Sequence, residues 1–186
     1  MRIDLPESLS DGYVRLRPMR ADDAPAYARA FRDDPELGVA IGVEEDPEET
    51  AALARLPQIQ ERAAAGDAAE LAIARADDDA YLGLIVLMNF DWRHRHCEVG
   101  FWLVPGARGQ GVARAAITLA IDWAFDVLSM RRIEMTTLPE NEPTVRLAEA
   151  LGFAREGLMR ARNLERGRVL DVVWFGLLQE EWTKPN

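Results

Sequence analysis

The chain has 186 residues, 48% of them hydrophobic, and carries 22 basic against 32 acidic side chains for a formal charge of −10. That length and apolar content suit one domain over residues 1–186 with a sizeable core. The negative charge repels a phosphate backbone and argues against nucleic-acid binding; it either favours a cationic amine partner or simply serves solubility. No run of about 18 uncharged apolar residues is present, and the N-terminal MRIDLPESLSDG has no apolar stretch, so the expectation is a cytoplasmic protein with neither membrane span nor secretory signal. Cys97 is the single cysteine, which excludes an internal disulfide.

Tyr13 to Met19 alternates polar and apolar residues and predicts a first strand with Arg15 and Arg17 on one face. Arg20 to Arg32 turns helical, with Ala24, Tyr27, Ala28 and Phe31 as its apolar stripe. Residues 33–45 read as a loop. Asp46, Pro47 and Glu49 then resemble an N-cap, an N1 proline and an N3 acid opening a helix that ends near Gly66, with Pro57 predicting a kink or a split into two. Glu70 to Arg75 and Tyr81 to Phe90 flank the turn ADDDA as a hairpin, and Glu98 to Val104 is the next strand. The most regular helix runs from Val112 to about Leu128, followed by a strand at Arg132 to Thr137. Asn141 caps a short helix closed by Gly152, and Arg155 to Leu164 with Val169 to Leu178 form a final hairpin. Strands interrupted by helices, with hairpins at both ends, predict a mixed sheet covered on both faces.

The stretch CEVGFWLVPGARGQGVARAA carries the clearest chemistry. A strand enters a Pro/Gly-rich turn, Pro105 to Gly111, and a helix follows at once, so the first helical amides have no intrahelical partner. About half a positive charge accumulates there, which attracts a phosphate. The turn lacks the lysine of a P-loop, and Gly106, Gly109 and Gly111 give GxxGxG, the reverse of the dinucleotide fingerprint. It fits Arg/Gln-x-x-Gly-x-Gly/Ala through Arg108, Gly111 and Ala113.

Together with EVGFWLVP before it and IEMTTLPENEPTVRLAEALGF after it, this loop resembles motif A of the GNAT N-acetyltransferase superfamily, most of all its Rim-type ribosomal-protein-alanine branch. The resemblance implies an α+β fold with a mixed, mostly antiparallel seven-stranded sheet and helices on both faces. In that fold the fourth and fifth strands run parallel and splay to admit the pantetheine arm of acetyl-CoA. It implies cofactor contacts from Leu103, Val104, Arg108, Gly109, Gln110, Gly111, Val112, Ala113, Asn141 and Thr144. Glu98, in the family's AEIGY-like segment (here CEVGF), would be the base, and Thr144 would face the sulfur. A backbone amide near Val104 would hold the oxyanion. Asn141 is equally well explained as a helix cap and Glu98 as a carboxylate paired with Arg93 or Arg95.

The implied activity is transfer of acetyl from acetyl-CoA to an amine, such as a protein N-terminus, by direct attack without an acetylated enzyme. The alternatives are a polyamine or aminoglycoside acceptor, or a non-catalytic acyl-CoA sensor. The resemblance also allows a homodimer. The general acid is unassigned: the tyrosines are Tyr13, Tyr27 and Tyr81, and Phe175 stands where Rim-type members often have tyrosine. Trp92, Trp102 and Phe175 could line an acceptor pocket or belong to the core. His94, His96 and Cys97 are contiguous with no second cluster, so no metal is expected, and Cys97 lacks an activating histidine.

Overall fold

The computed structural model describes residues 1–184 as one eight-stranded sheet flanked by helices. In chain order the elements are β1 (Leu9–Ser10), β2 (Val14–Arg17), α1 (Ala24–Asp33), α2 (Leu37–Ile41), α3 (Glu49–Ala65), β3 (Ala68–Arg75), β4 (Tyr81–Asp91), β5 (His96–Leu103), α4 (Val112–Asp126), β6 (Arg132–Thr137), α5 (Glu142–Ala150), β7 (Ala154–Glu165) and β8 (Arg168–Leu178). The strand order is β1-β2-β3-β4-β5-β6-β8-β7. Only β5 and β6 pair in parallel, so the sheet is mixed and mostly antiparallel. The eighth strand is the two-residue β1, which extends the β2 edge and is too short to show an alternation.

Three local expectations need correction. Residues 33–45 are not a plain loop, because LGVAI forms the single-turn α2, closed by Gly42 at φ +72°. The long helix begins at Glu49 with Glu48 as N-cap, whereas Asp46 is drawn off by the Arg166 guanidinium at 2.5 Å. Of the two readings of Pro57, a kink or a split, the split falls away, because α3 runs as one helix through it. Pro57 and Leu53, whose carbonyl loses its partner, are both exposed, so water can satisfy the freed oxygen. Arg15 and Arg17 do share a face, and both reach Asp79.

Alternation sorts the sheet into two faces. Leu71, Ile73, Ile85, Leu87, Val99, Ile133, Met135, Phe175 and Leu177 pack with the apolar residues of α4 into the larger core. On the other face Leu84 and Trp102 pack with Tyr27 and Phe31 of α1 and with Ala52 and Ile59 of α3. Glu70, Val86 and Gly100 are successive cross-strand partners on this second face, and Glu98 lies on it two residues from Gly100.

The feature that positions the site is a fork. β5 and β6 pair only at His96↔Arg132, Cys97↔Ile133 and Glu98↔Glu134. Beyond Glu98, β5 runs on to Leu103 beside β4 alone, while Met135, Thr136 and Thr137 stay paired with β8. The gap that opens between the two strands continues to the α4 N-terminus.

Candidate active site

The fork opens into a cleft of about 1140 Å³ lined from both sides of the sheet. At one end lies the Pro105–Gly111 turn. Gly109 and Gly111 sit at φ +71° and +81°, and a Cβ at either would enter open space. The amides of residues 109–113 find no acceptor among the described residues. The carbonyls are held elsewhere. Gln110 Nε2 donates to the Gly106 carbonyl at 2.6 Å, and the Tyr13 hydroxyl, from the β1–β2 turn, donates to the Gln110 carbonyl at 2.8 Å. Donors without competing acceptors, ahead of a 15-residue helix, make a cradle that fits a diphosphate.

Arg108 does not face this cradle. Its guanidinium donates to the Leu103 carbonyl at 3.0 and 3.2 Å and to Asp34, at the end of α1, at 2.5 Å. It therefore ties the turn to the helices across the cleft.

Val104 has no backbone group left to offer, contrary to expectation: its N–H donates to the Leu82 carbonyl at 2.9 Å and its carbonyl accepts from Ala107 at 2.9 Å. The Val104–Leu82 bond also fixes the alternation along β5, turning the backbone of Trp102 and Gly100 toward β4 and that of Leu103 and Phe101 toward the gap. The amides that face the gap without a partner strand are thus those of Leu103, already named from the resemblance, and Phe101, which sequence reasoning missed because strand parity was not known.

Glu98 stands at the crotch of the fork, 8% exposed. Its carboxylate accepts from Asn89 Nδ2 at 2.8 Å and from Thr136 Oγ1 at 2.5 Å. It makes no ion pair with Arg93, Arg95 or any other described cation. Asn89 reaches it because β4 is irregular between Met88 and Asp91, with Asn89 at φ +54°. Two neutral donors fix the carboxylate while leaving half of its lone pairs open, an arrangement able to accept a proton from a ligand.

Opposite, Asn141 Oδ1 accepts from the Thr144 amide at 3.4 Å as the cap of α5, which leaves its Nδ2 for a ligand. The Thr144 hydroxyl has no partner among the described residues, and both side chains line the cleft.

Of the aromatic candidates only Trp102 belongs to the cleft, within an edge-to-face cluster with Tyr27, Phe31 and Tyr81 at 5.4, 5.5 and 6.1 Å. Trp92 stacks on Phe90 and donates to the Gly66 carbonyl. Phe175 is fully buried on the far face, so even a tyrosine there would point into the core; its neighbour Trp174, opposite Thr136, lines the cleft. Burial raises the Tyr27 and Tyr81 phenols, which keeps both neutral. Burial likewise pushes the Cys97 thiol up to about 12, leaving it unable to serve as a nucleophile at neutral pH.

The other end of the cleft holds Tyr27 together with three groups not singled out from sequence, Arg55, Arg62 and Glu70. Glu70 is buried and accepts from Arg55 Nη2 at 2.6 Å and Arg62 Nη1 at 2.7 Å. The seven-residue spacing of the two arginines is two helical turns and was the available signal. The tip of the β7–β8 hairpin closes this end. Arg166 donates to the Val43 carbonyl at 3.0 Å and pairs with Asp46, and Arg168 pairs with Glu36 at 2.7 Å.

The forked β5–β6 pair, the bare-amide helix start and the carboxylate at the crotch give one cleft an anion cradle at one end and a proton acceptor beside it. The profile of the acetyltransferase (GNAT) domain matches residues 14–154, and the chain belongs to that family. It is an N-acetyltransferase of the GNAT type. It is 29% identical over 176 residues to the uncharacterized N-acetyltransferase p20 of Bacillus licheniformis, covering 95% of this chain and 98% of that one. It is 32% identical over 101 residues to the spermidine N(1)-acetyltransferase of Vibrio cholerae, covering 54% of this chain and 58% of the relative. Among solved structures it shares its fold with Mycobacterium smegmatis RimJ in complex with CoA-disulfide, at TM-score 0.87 and 24% identity over 97% of this chain and 91% of that one. The ribosomal-protein-S5-alanine acetyltransferase of Vibrio fischeri superposes at TM-score 0.80 with 22% identity, over 95% and 98% of the two chains.

Proposed function

We propose that this acetyltransferase uses acetyl-CoA and takes the α-amine of a protein or peptide N-terminus as its acceptor, in one direct transfer within a single cytoplasmic domain. The observation that carries this reading is the position of Glu98, fixed at the crotch of the fork by Asn89 and Thr136 and open to the cleft. Acetyl-CoA supplies the activated thioester. Residues 109–113 offer the amides that suit its diphosphate, Leu103 and Phe101 the strand amides that suit its pantetheine arm, and Asn141 Nδ2 a further donor. Glu98 accepts the proton of the acceptor amine. An α-amine titrates near 8 and a lysine near 10.4, so a carboxylate suffices as the base for an N-terminus. The amide of Leu103 or Phe101 is the donor available to a developing oxyanion, and Thr144 Oγ1, without a partner among the described residues, is a hydroxyl available to a departing sulfur.

A panel of amines tests the reading by thiol release from acetyl-CoA. Turnover of peptides with free N-termini, lost on N-terminal blocking, is expected. Turnover of spermidine or an aminoglycoside in place of every peptide would move the acceptor to the small-molecule class. CoA binding with no turnover of any amine would make the protein a sensor.

A further inference from the structure

Two kinds of arginine pair with buried carboxylates: Arg17 with Asp23, and Arg55 and Arg62 with Glu70. Arg17 is fully engaged: its guanidinium donates to both Asp23 oxygens at 2.7 and 2.8 Å, to Asp79 Oδ1 at 3.0 Å, and to the carbonyls of Pro18 and Asp79. That is a structural arginine with every donor direction used. Arg55 and Arg62 differ. Each makes one hydrogen bond, and both go to the same carboxylate, Glu70. A guanidinium carries five donors, so most of their capacity is unspent, and the Nε of Arg55 is buried without any partner. The Tyr81 hydroxyl, in the aromatic cluster below, is also buried and unpartnered. The triad sums to one positive charge, in a chain whose total is −10, and it lines the cleft.

We infer that Arg55 and Arg62 form a recognition site for a carboxylate on the acceptor, so that the preferred acceptor is a peptide N-terminus with an acidic side chain a residue or two beyond the reacting amine. This rests on the proposed use of Glu98 as the amine-side base. Glu70 lies two strands from Glu98, about 10 Å sideways, and two residues along the same face. An extended peptide advances about 3.4 Å per residue, so an amine at Glu98 brings the second or third side chain to the arginines. Gly100, Val86 and Met88 lie between, and a Cβ at Gly100 would already press on Met88 and Val86 at 3.3 and 3.4 Å. The positive triad disfavours a polyamine, whose remote ammonium would meet it.

The test titrates the full-length, CoA-saturated protein with three peptides, Ala-Glu-Glu, Ala-Gln-Gln and Ala-Lys-Lys, each extended by the same neutral tail and amidated, and with spermidine. Binding is read by calorimetry and turnover by thiol release, on the wild type, Arg62→Gln and Arg55→Met. The acidic peptide is expected to bind about tenfold tighter than the neutral one, the gain expected of one charge-assisted bond. In both variants that preference should fall below about threefold through KM, with kcat and CoA affinity kept. Arg55→Met strips one partner from buried Glu70 and can destabilise the fold. Arg62, with its side chain 46% exposed, carries the test if so.

Equal binding of the acidic and neutral peptides by the wild type, a preference that survives both variants, or tighter binding of spermidine than of any peptide would each overturn the inference. Neutral peptides turned over without an acidic preference would leave the transferase reading intact. Selective binding of the acidic peptide with no thiol release would support the recognition site and sink transfer.

Discussion

At the proposed cofactor end of the cleft the groups offered to a ligand are backbone amides, those of residues 109–113 and of Leu103 and Phe101 on the opened strand. At the acceptor end they are side chains drawn from α1, α3, β3 and β5: Tyr27, Arg55, Arg62, Glu70 and Trp102. A backbone cradle depends on conformation and tolerates most side chains, provided nothing grows into it. A side-chain wall changes its preference with each substitution. One sheet can therefore hold a constant cofactor end and a variable acceptor end, and the two should respond differently to mutation.

The sharpest break is expected at Gly111. An aspartate there must adopt φ +81° and places a negative charge at the start of α4, where the macrodipole draws the diphosphate. Gly111→Asp should weaken CoA binding by ~100-fold or more, measured by calorimetry, while the strain of a side chain at φ +81° lowers the melting temperature by only about a few degrees, since nothing clashes with the new side chain. Retained affinity would remove the turn from the cofactor site.

Glu98 should come next, and its effect should fall on rate rather than on cofactor affinity. Glu98→Gln keeps the shape and can still accept from Thr136, but it cannot take a proton. The expected loss in kcat/KM is about 100-fold near pH 7, shrinking as pH rises past the acceptor amine's own pKa, where the amine arrives deprotonated. A pH-independent loss would make Glu98 a structural brace for Asn89 and Thr136.

The contrast between the two ends also explains what could be read from the chain. The turn at the proposed cofactor end is contiguous: a strand, Pro105, Gly109, Gly111 and a periodic helix lie within some thirty residues, so spacing suggested an anion site and the resemblance to motif A supplied the cofactor. The acceptor end is assembled from residues 27, 55, 62, 70 and 102, which only the fold brings together. Glu70, set in a strand that is apolar apart from it and the terminal Arg75, was a hint beside the seven-residue spacing of Arg55 and Arg62. α2 and β1, at five and two residues, are too short to carry a period. Val104 was misplaced, and Phe175 stood open between pocket and core, because the direction of a strand residue follows from pairing, and pairing is not written in one strand. Val104 is spent on Leu82, and Phe175 points into the core.

Tyr13 offers a finer test of the backbone cradle. Its hydroxyl holds the Gln110 carbonyl away from the bare amides, across 97 residues of chain. Tyr13→Phe removes one partly exposed hydrogen bond, a loss of about 1 kcal/mol. CoA affinity should fall about fivefold with kcat unchanged. A fall in kcat instead would mean that the turn positions reacting groups as well as the diphosphate.

The smallest effect concerns whether the fork is fixed. Cys97 is fully buried at the last paired stretch of β5 and β6, opposite Ile133, and burial pushes its thiol up to about 12. A thiol with that pKa is ~0.01% thiolate at pH 8, compared with roughly a quarter for an ordinary cysteine. In the native protein it should label with a disulfide reagent no faster than global unfolding, giving thiol-release assays a flat background. If labelling outpaces unfolding and CoA suppresses it, the strands part further in solution than they do here. The amides of Leu103 and Phe101 would then be exposed by motion, and the cofactor end would lose the rigidity that sets it apart from the acceptor end.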